Sequence, residues 1–259
     1  MDVGRQALNL ILNISRSVLP SAWFEKLFMW DRQRHMRLLA SLPTRRVATV
    51  HELPLDGAPA CIDRCRNAIA AVSTHGSHVE LWGGRGRETA VGWNALVQRP
   101  DRLVANQLTG NYQNDWISIG EETWETRSLE QGCLDPCNDP AFSKGNRRFH
   151  VARYLPLLAS ATPTRCRLIG FQGCALTHLA WETLTGRPFE CLLELEPAFL
   201  DGIEPRKSSI SAWLDEDERI VCLDLSLTAD DATTRGLTMT FGMYDLPLEI
   251  PDPRDVYAA

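Results

Sequence analysis

Apolar side chains at Val3, Ala7, Leu10, Ile11, Ile14 and Val18 recur at helical spacing, which predicts a helix over residues 3–19. Leu19-Pro20 ends it, because the residue before a proline avoids the helical region. Ser21 then suits an N-cap, and a second helix is expected from 22 to about 40. This helix carries Trp23, Phe24, Leu27, Phe28, Met29 and Trp30, followed by the basic run Arg32, Arg34, His35 and Arg37. A segment apolar nearly all round demands burial, against the body, a partner or a membrane surface. Residues 1–43 are therefore expected to form an N-terminal helical arm.

Beyond the arm the period changes. Residues 46–51 alternate as a short strand, and Ala58-Pro59 opens a helix to about 73. His78–Trp82 reads as a strand, Gly83–Arg87 as a turn, and Glu88–Leu96 as either a returning strand or a short helix. Trp116–Gly120 is another short strand. Residues 131–149, dense in Gly, Pro, Asn, Asp and Ser, read as a loop. Arg165–Phe171 is a strand, and Gly173 is expected to turn it into a helix from Cys174 to Leu184. Phe189–Leu195, Ser208–Leu214, Arg219–Leu227 and Thr238–Tyr244 read as strands, the middle two as a hairpin. On the third of these, Val221, Leu223, Leu225 and Leu227 are expected inward, with Cys222, Asp224 and Ser226 outward.

Strands in runs with helices interspersed predict an α+β class, with the N-terminal helical arm packed on a largely antiparallel sheet. The expected organisation is an arm over 1–43 and a body over 44–259, the body splitting into two subdomains near 131–149.

The 259 residues bury a sizeable core without staples. Residues 151–259 hold 9 basic and 17 acidic side chains, most of the surplus behind a net charge of −6. An acidic body argues against nucleic-acid binding, which needs a basic face. Only Lys26, Lys144 and Lys207 are lysine against 24 arginines, a bias that points to a GC-rich bacterial genome. The apolar stretch 7–19 is broken by Asn9, Asn13, Ser15 and Arg16, unlike a secretory signal, and no run reaches transmembrane length. Several of the eight cysteines lie inside apolar runs, as core hydrophobes of a reducing cytoplasm would.

Cys174 is the first chemical candidate. At a helix N-terminus its thiolate would be favoured, with His178 or His150 as base and Gln172 as oxyanion donor. Cys61/Cys65 and Cys133/Cys137 could hold zinc, but the spacing is long for a knuckle, and the first pair shares an apolar face with Ile69 and Val72. His75, His78 and Glu80 could hold a metal, yet a polar turn explains them as well. Gly83–Arg87 lacks the remainder of a phosphate-binding fingerprint. Glu190, Glu194 and Glu196 alternate as the wet face of a strand, and Asp230-Asp231 follows later. No metal or cofactor is expected.

No complete catalytic signature is present, so the first reading is a protein-binding module. It is expected to be a bacterial cytoplasmic immunity protein, inhibiting a basic toxin through Asp215, Glu216, Asp217 and Glu218. The alternative is a cysteine-dependent hydrolase or transferase with Cys174 as nucleophile.

Overall fold

The computed structural model describes residues 36–45, 47–84, 87–109, 112–126, 134–137, 146–182, 205–229, 234–247, 249–250 and 252. Its strands are β1 (Thr49–Glu52), β2 (Thr74–Gly83), β3 (Glu88–Gln98), β4 (Arg102–Thr109), β5 (Tyr112–Ile119) and β6 (Glu122–Thr126). There follow β7 (Leu134–Cys137), β8 (Arg165–Phe171), β9 (Cys174–Glu182), β10 (Pro205–Leu214), β11 (Ile220–Ala229) and β12 (Thr234–Gly242). Two helices join them, α1 (Ala58–Ala71) and α2 (Leu155–Ala159), with short 3-10 turns before each.

All twelve strands form one sheet in the order β1-β8-β9-β10-β11-β12-β2-β3-β4-β5-β6-β7. Every described pairing is antiparallel. β2 to β7 are one meander, and β8 to β12 are a second. The two join where the last strand, β12, pairs with β2, from Arg235↔Gly83 to Gly242↔Gly76. With a twist of roughly 20–25° per strand, a sheet this wide has to coil rather than stay flat.

The expected α+β body under a helical arm is thus replaced by a nearly all-strand single sheet. Of the arm, only 36–43 is described, with 36–40 helical; the predicted helix over 3–19 and the start of the second lie outside the described residues. The helix expected from Cys174 is β9. The reason is local. Gln172 (φ 53°) and Gly173 (φ 83°) are both left-handed, the geometry of a two-residue hairpin turn rather than of a strand entering a helix. The predicted strand over 189–195 lies outside the described residues, and so does most of 131–149; strands on either side of that loop share the sheet.

The sheet has two unlike faces. The first packs Leu179, Trp181, Ile210, Ala212, Leu223, Leu225, Leu237, Met239, Val79, Val97 and Trp116 into the main core. α1 lies in that core with Ala58, Cys61, Ile62, Cys65 and Ile69, an i, i+3, i+4, i+7 stripe. A segment over 146–159 also crosses this face. His75 Nε2–H donates to the Phe149 carbonyl (3.0 Å), Trp116 Nε1–H to Asn146 Oδ1 (2.8 Å), and the Arg148 guanidinium lies 4.9 Å from the Trp93 ring centre.

The second face carries a smaller apolar cluster, where Met36, Leu39 and Leu42 cover Ile169, Phe171, Leu176, Trp213 and Cys222. β11 is consequently buried on both sides: Cys222 is fully buried, and Asp224 is 6% exposed. The expected outward face of that strand is a second interior.

Asp224 survives there because it is paired. Arg87 donates to both its oxygens (3.0 and 2.7 Å), and Thr238 Oγ1 donates to Oδ1 (2.7 Å). Trp82 Nε1–H donates to Thr238 Oγ1 (3.0 Å), and Arg87 stacks 4.1 Å from the Trp82 ring centre. The indole lies over Gly236, its cross-strand neighbour on β12. A Cβ there would fall 1.6 Å from Trp82 Cζ2. Gly76→Ala would meet only the flexible end of Met243, at 1.9 Å from its terminal methyl. We predict that Gly236→Ala destabilises by about 1–3 kcal/mol or more, and Gly76→Ala by less. Urea unfolding of the two variants measures this; equal midpoints would refute it.

Candidate functional site

A pocket of about 280 Å³ opens on the second face. Its floor follows from the register. Arg165, Ala180, Ser211 and Asp224 form one cross-strand row over β8, β9, β10 and β11. Arg167, His178, Trp213 and Cys222 form the next row. Glu182 and Ser209 begin a third. Ala180, Ser209 and Ser211 are small, so the sheet surface is recessed between larger side chains. Leu42, Pro43, Arg45 and Val47 wall it from the segment before β1.

The lining is cationic in an acidic chain. Arg45, Arg87, Arg165 and Arg167 face Glu182 and Asp224. Asp224 is committed to Arg87; burial pushes its carboxyl up, and the Arg87 and Thr238 bonds pull against that. The Arg165–Glu182 contact, 3.8 Å and largely exposed, is worth little.

His178 is 4% exposed and stacks on Trp213 with ring centres 4.6 Å apart. Arg167 Nε–H donates to His178 Nδ1 (2.9 Å). An arginine has no acceptor and keeps its charge, so Nδ1 accepts and the proton of the neutral ring sits on Nε2. Burial first, then the Arg167 and Arg165 charges, lowers the imidazole to about 4. His178 is therefore a neutral ring presenting Nε2–H. That atom and the Trp213 Nε1–H have no hydrogen-bond partner among the described residues, although both are buried.

A second, smaller pocket of about 200 Å³ lies where the crossing segment meets the ends of β4 and β5, lined by Pro100, Asp101, Ser118, Asn146, Arg147 and His150 among others. Burial, then the Arg99 and Arg153 charges, lowers His150.

The sequence candidates are placed as follows. Gln172 and Cys174 are exposed at the β8–β9 turn. His178 is four residues further along the same strand, about 13 Å at strand rise, so the two do not meet. The cysteine-hydrolase alternative loses its strand–turn–helix premise. His75 and His78 point to opposite faces: His75 contacts Phe149 over the main core, and His78 bonds Asn94 Oδ1 (2.7 Å) and Glu80 Oε1 (2.9 Å) on the other side. No group of three metal-ligating side chains occurs among the described residues. Cys61 and Cys65 are core residues of α1, and burial pushes the Cys65 thiol up to about 12. Cys133 lies outside the described residues, as do Glu190, Glu194, Glu196, Asp230 and Asp231. Gly83 and Arg87 bound a hairpin turn, as expected.

Three of the four carboxylates of the acidic turn, those of Asp215, Asp217 and Glu218, are paired within the protein. Asp215 accepts from the backbone N–H of Asp217 and Arg219 (3.0 and 2.8 Å) and from Arg219 Nε (3.2 Å). Asp217 pairs with Arg219, and Glu218 pairs with Arg64 of α1. Glu216 is exposed. These carboxylates close the β10–β11 hairpin and dock it on the helix.

The arginine pocket was missed by sequence reasoning. The available signal was Arg165-Cys-Arg167, two cations on one strand face, opposite the alternation Ser209, Ser211, Trp213.

No family model and no curated protein matches the chain. Solved structures do. The lipoprotein LppX from Mycobacterium tuberculosis superposes with TM-score 0.51 at 11% identity, over 76% of this chain and 99% of that one. LprF from Mycobacterium bovis gives TM-score 0.49 at 12% identity, over 76% and 97%. A LolA superfamily protein from Nitrosomonas europaea gives 0.31 at 8% identity, over 73% and 94%. The first of these shows the fold class: the wide antiparallel sheet described above is shared with LppX.

That likeness corrects several expectations. The fold is shared with a lipoprotein, which overturns the immunity protein, the toxin inhibitor, the basic toxin partner and the cytoplasmic location. The cysteine argument for the cytoplasm is weak in physical terms too: Cys61, Cys65, Cys166 and Cys222 are buried, and a buried thiol is inert in either compartment.

Both His178 and His75 are lowered to about 4, burial being the first cause in each. Their folded values lie below the ordinary 6.5, so the unfolded chain binds more protons on acidification. We predict that stability from both is full above pH 6.5 and is lost progressively towards pH 4. Urea midpoints measured from pH 7.5 to 4 test this; a His178→Asn, His75→Phe double variant should show a shallower decline. An equal slope in both proteins would refute it.

Proposed function

We propose that the protein is a binding protein for an amphiphilic ligand of the lipid class, acting outside the cytoplasm in a membrane-associated setting. The observation that carries this is the breadth of the main apolar face, which runs across most of the sheet. Twelve strands span about 50 Å at ordinary strand spacing. α1, with 14 residues, is about 21 Å long and 10 Å wide. Among the described residues α1 and the 146–159 segment cover this face, and its side chains, Val79, Leu225 and Met239 among them, are fully buried in a broad apolar interior. Trp93, Trp116 and Trp181 belong to this layer or pack against it. Ligand sites of this sort are mostly apolar with few polar groups.

The crossing segment is the natural edge of such an interior. It is held by polar ties at its start, through His75, Trp116 and Asn146, rather than by a continuous helix. The smaller pocket lies beside those ties. The likeness to LppX, a lipoprotein, supports the setting.

The test uses cis-parinaric acid, a fluorescent fatty acid. Purified protein is expected to bind it saturably, with energy transfer from tryptophan and displacement by unlabelled phospholipid. No saturable transfer at any concentration below micelle formation would refute the reading.

A further inference from the structure

The arginine pocket lies on the sheet face opposite the apolar layer, so a ligand buried in that layer does not explain it. We propose that this pocket is a second site, which binds an oxyanion of the phosphate-monoester type.

Four observations converge. The pocket holds four arginines against two carboxylates, while the chain as a whole carries −6. A recessed, like-charged lining concentrates counter-ions of the opposite sign. Arg87 is spent on Asp224, and this leaves Arg45, Arg165 and Arg167 as the cations that line the opening. Guanidinium groups match phosphate oxygens in pairs of parallel hydrogen bonds.

The two buried rings add direction. His178 Nε2–H and Trp213 Nε1–H belong to side chains that line this same pocket and have no acceptor among the described residues. A buried donor without an acceptor costs free energy in the empty state, and an oxyanion recovers it. Both groups are donors only: the indole has no acceptor, and the histidine tautomer is fixed by Arg167. These two rings therefore offer nothing to a cation or a hydrogen-bond donor.

Size narrows the ligand. About 280 Å³ lies at the lower end of pockets that enclose drug-sized molecules. A free phosphate or the phosphate end of a lipid headgroup fits; a polymer does not.

Isothermal titration with inorganic phosphate and flotation with phosphatidic acid vesicles, phosphatidylcholine vesicles as control, tell the two sources apart. The wild type is expected to bind at least one phosphate probe. Arg165→Gln, at a side chain 49% exposed, is expected to weaken that binding tenfold or more with an unchanged melting temperature. Trp213→Phe keeps a six-membered ring and removes the N–H; it is expected to weaken binding several-fold, with a lower melting temperature from the smaller buried ring, so Arg165→Gln is the variant that separates binding from folding. Loss confined to phosphate titration identifies a free anion, and loss confined to vesicles identifies a headgroup; either supports the site. No binding of either probe by the wild type, or unchanged binding in both variants, overturns it. The parinaric acid experiment reads the opposite face, so the two proposals fail separately.

Discussion

The structure depends on the pairing of β12 with β2. Without it the chain is two meanders, each with an open edge; with it they become one sheet. The seam is reinforced on one face by the core residues Leu237, Met239, Leu81 and Val79. On the other it is reinforced by a polar chain that runs across it, from Asp224 on β11 through Thr238 on β12 to Trp82 on β2, with Arg87 closing the loop. Paired buried charge of this kind contributes little net stability, but it penalises any register in which the partners do not meet. Gly236 belongs to the same device, because only a residue without Cβ admits the indole at that position.

The two faces do different work. The main face solves the burial problem with aliphatic and aromatic side chains and one amphipathic helix. The other carries an apolar cluster at one end, capped by Met36, Leu39 and Leu42, and a polar hollow beside it. Local rules are broken in that hollow: two buried N–H groups lack acceptors among the described residues, and cations crowd together. Departures of this sort gather where a protein has a task other than folding.

Part of this was legible in the residues. α1 showed itself through Pro59 and the stripe from Ala58 to Ile69, β8 through its alternation, and the β10–β11 hairpin through the acidic turn between two apolar runs. β9 did not. Cys-Ala-Leu-Thr-His-Leu-Ala-Trp contains good helix formers, and tertiary pairing on both sides overrode propensity. Of β4 to β7 only the end of β5, from Trp116, was legible; the rest carries polar side chains such as Asn106, Gln107, Asn114 and Asp115, which give no clean period of two. The arginine pocket was illegible for a different reason. Its members come from four strands, the β2–β3 turn and the segment before β1, and only the register reveals that Arg167, His178 and Trp213 stand side by side.

The seam also sets an order of events. Its paired residues are 152 to 166 positions apart in the chain, from Gly83 and Arg235 to Gly76 and Gly242. On a translating ribosome the first meander emerges long before its last neighbour is made. Throughout that interval the β2 flank offers bare backbone amides and carbonyls to whatever chain is near. Nascent molecules of this protein are thus exposed to mispairing with one another, and a holding chaperone would find its substrate at that flank.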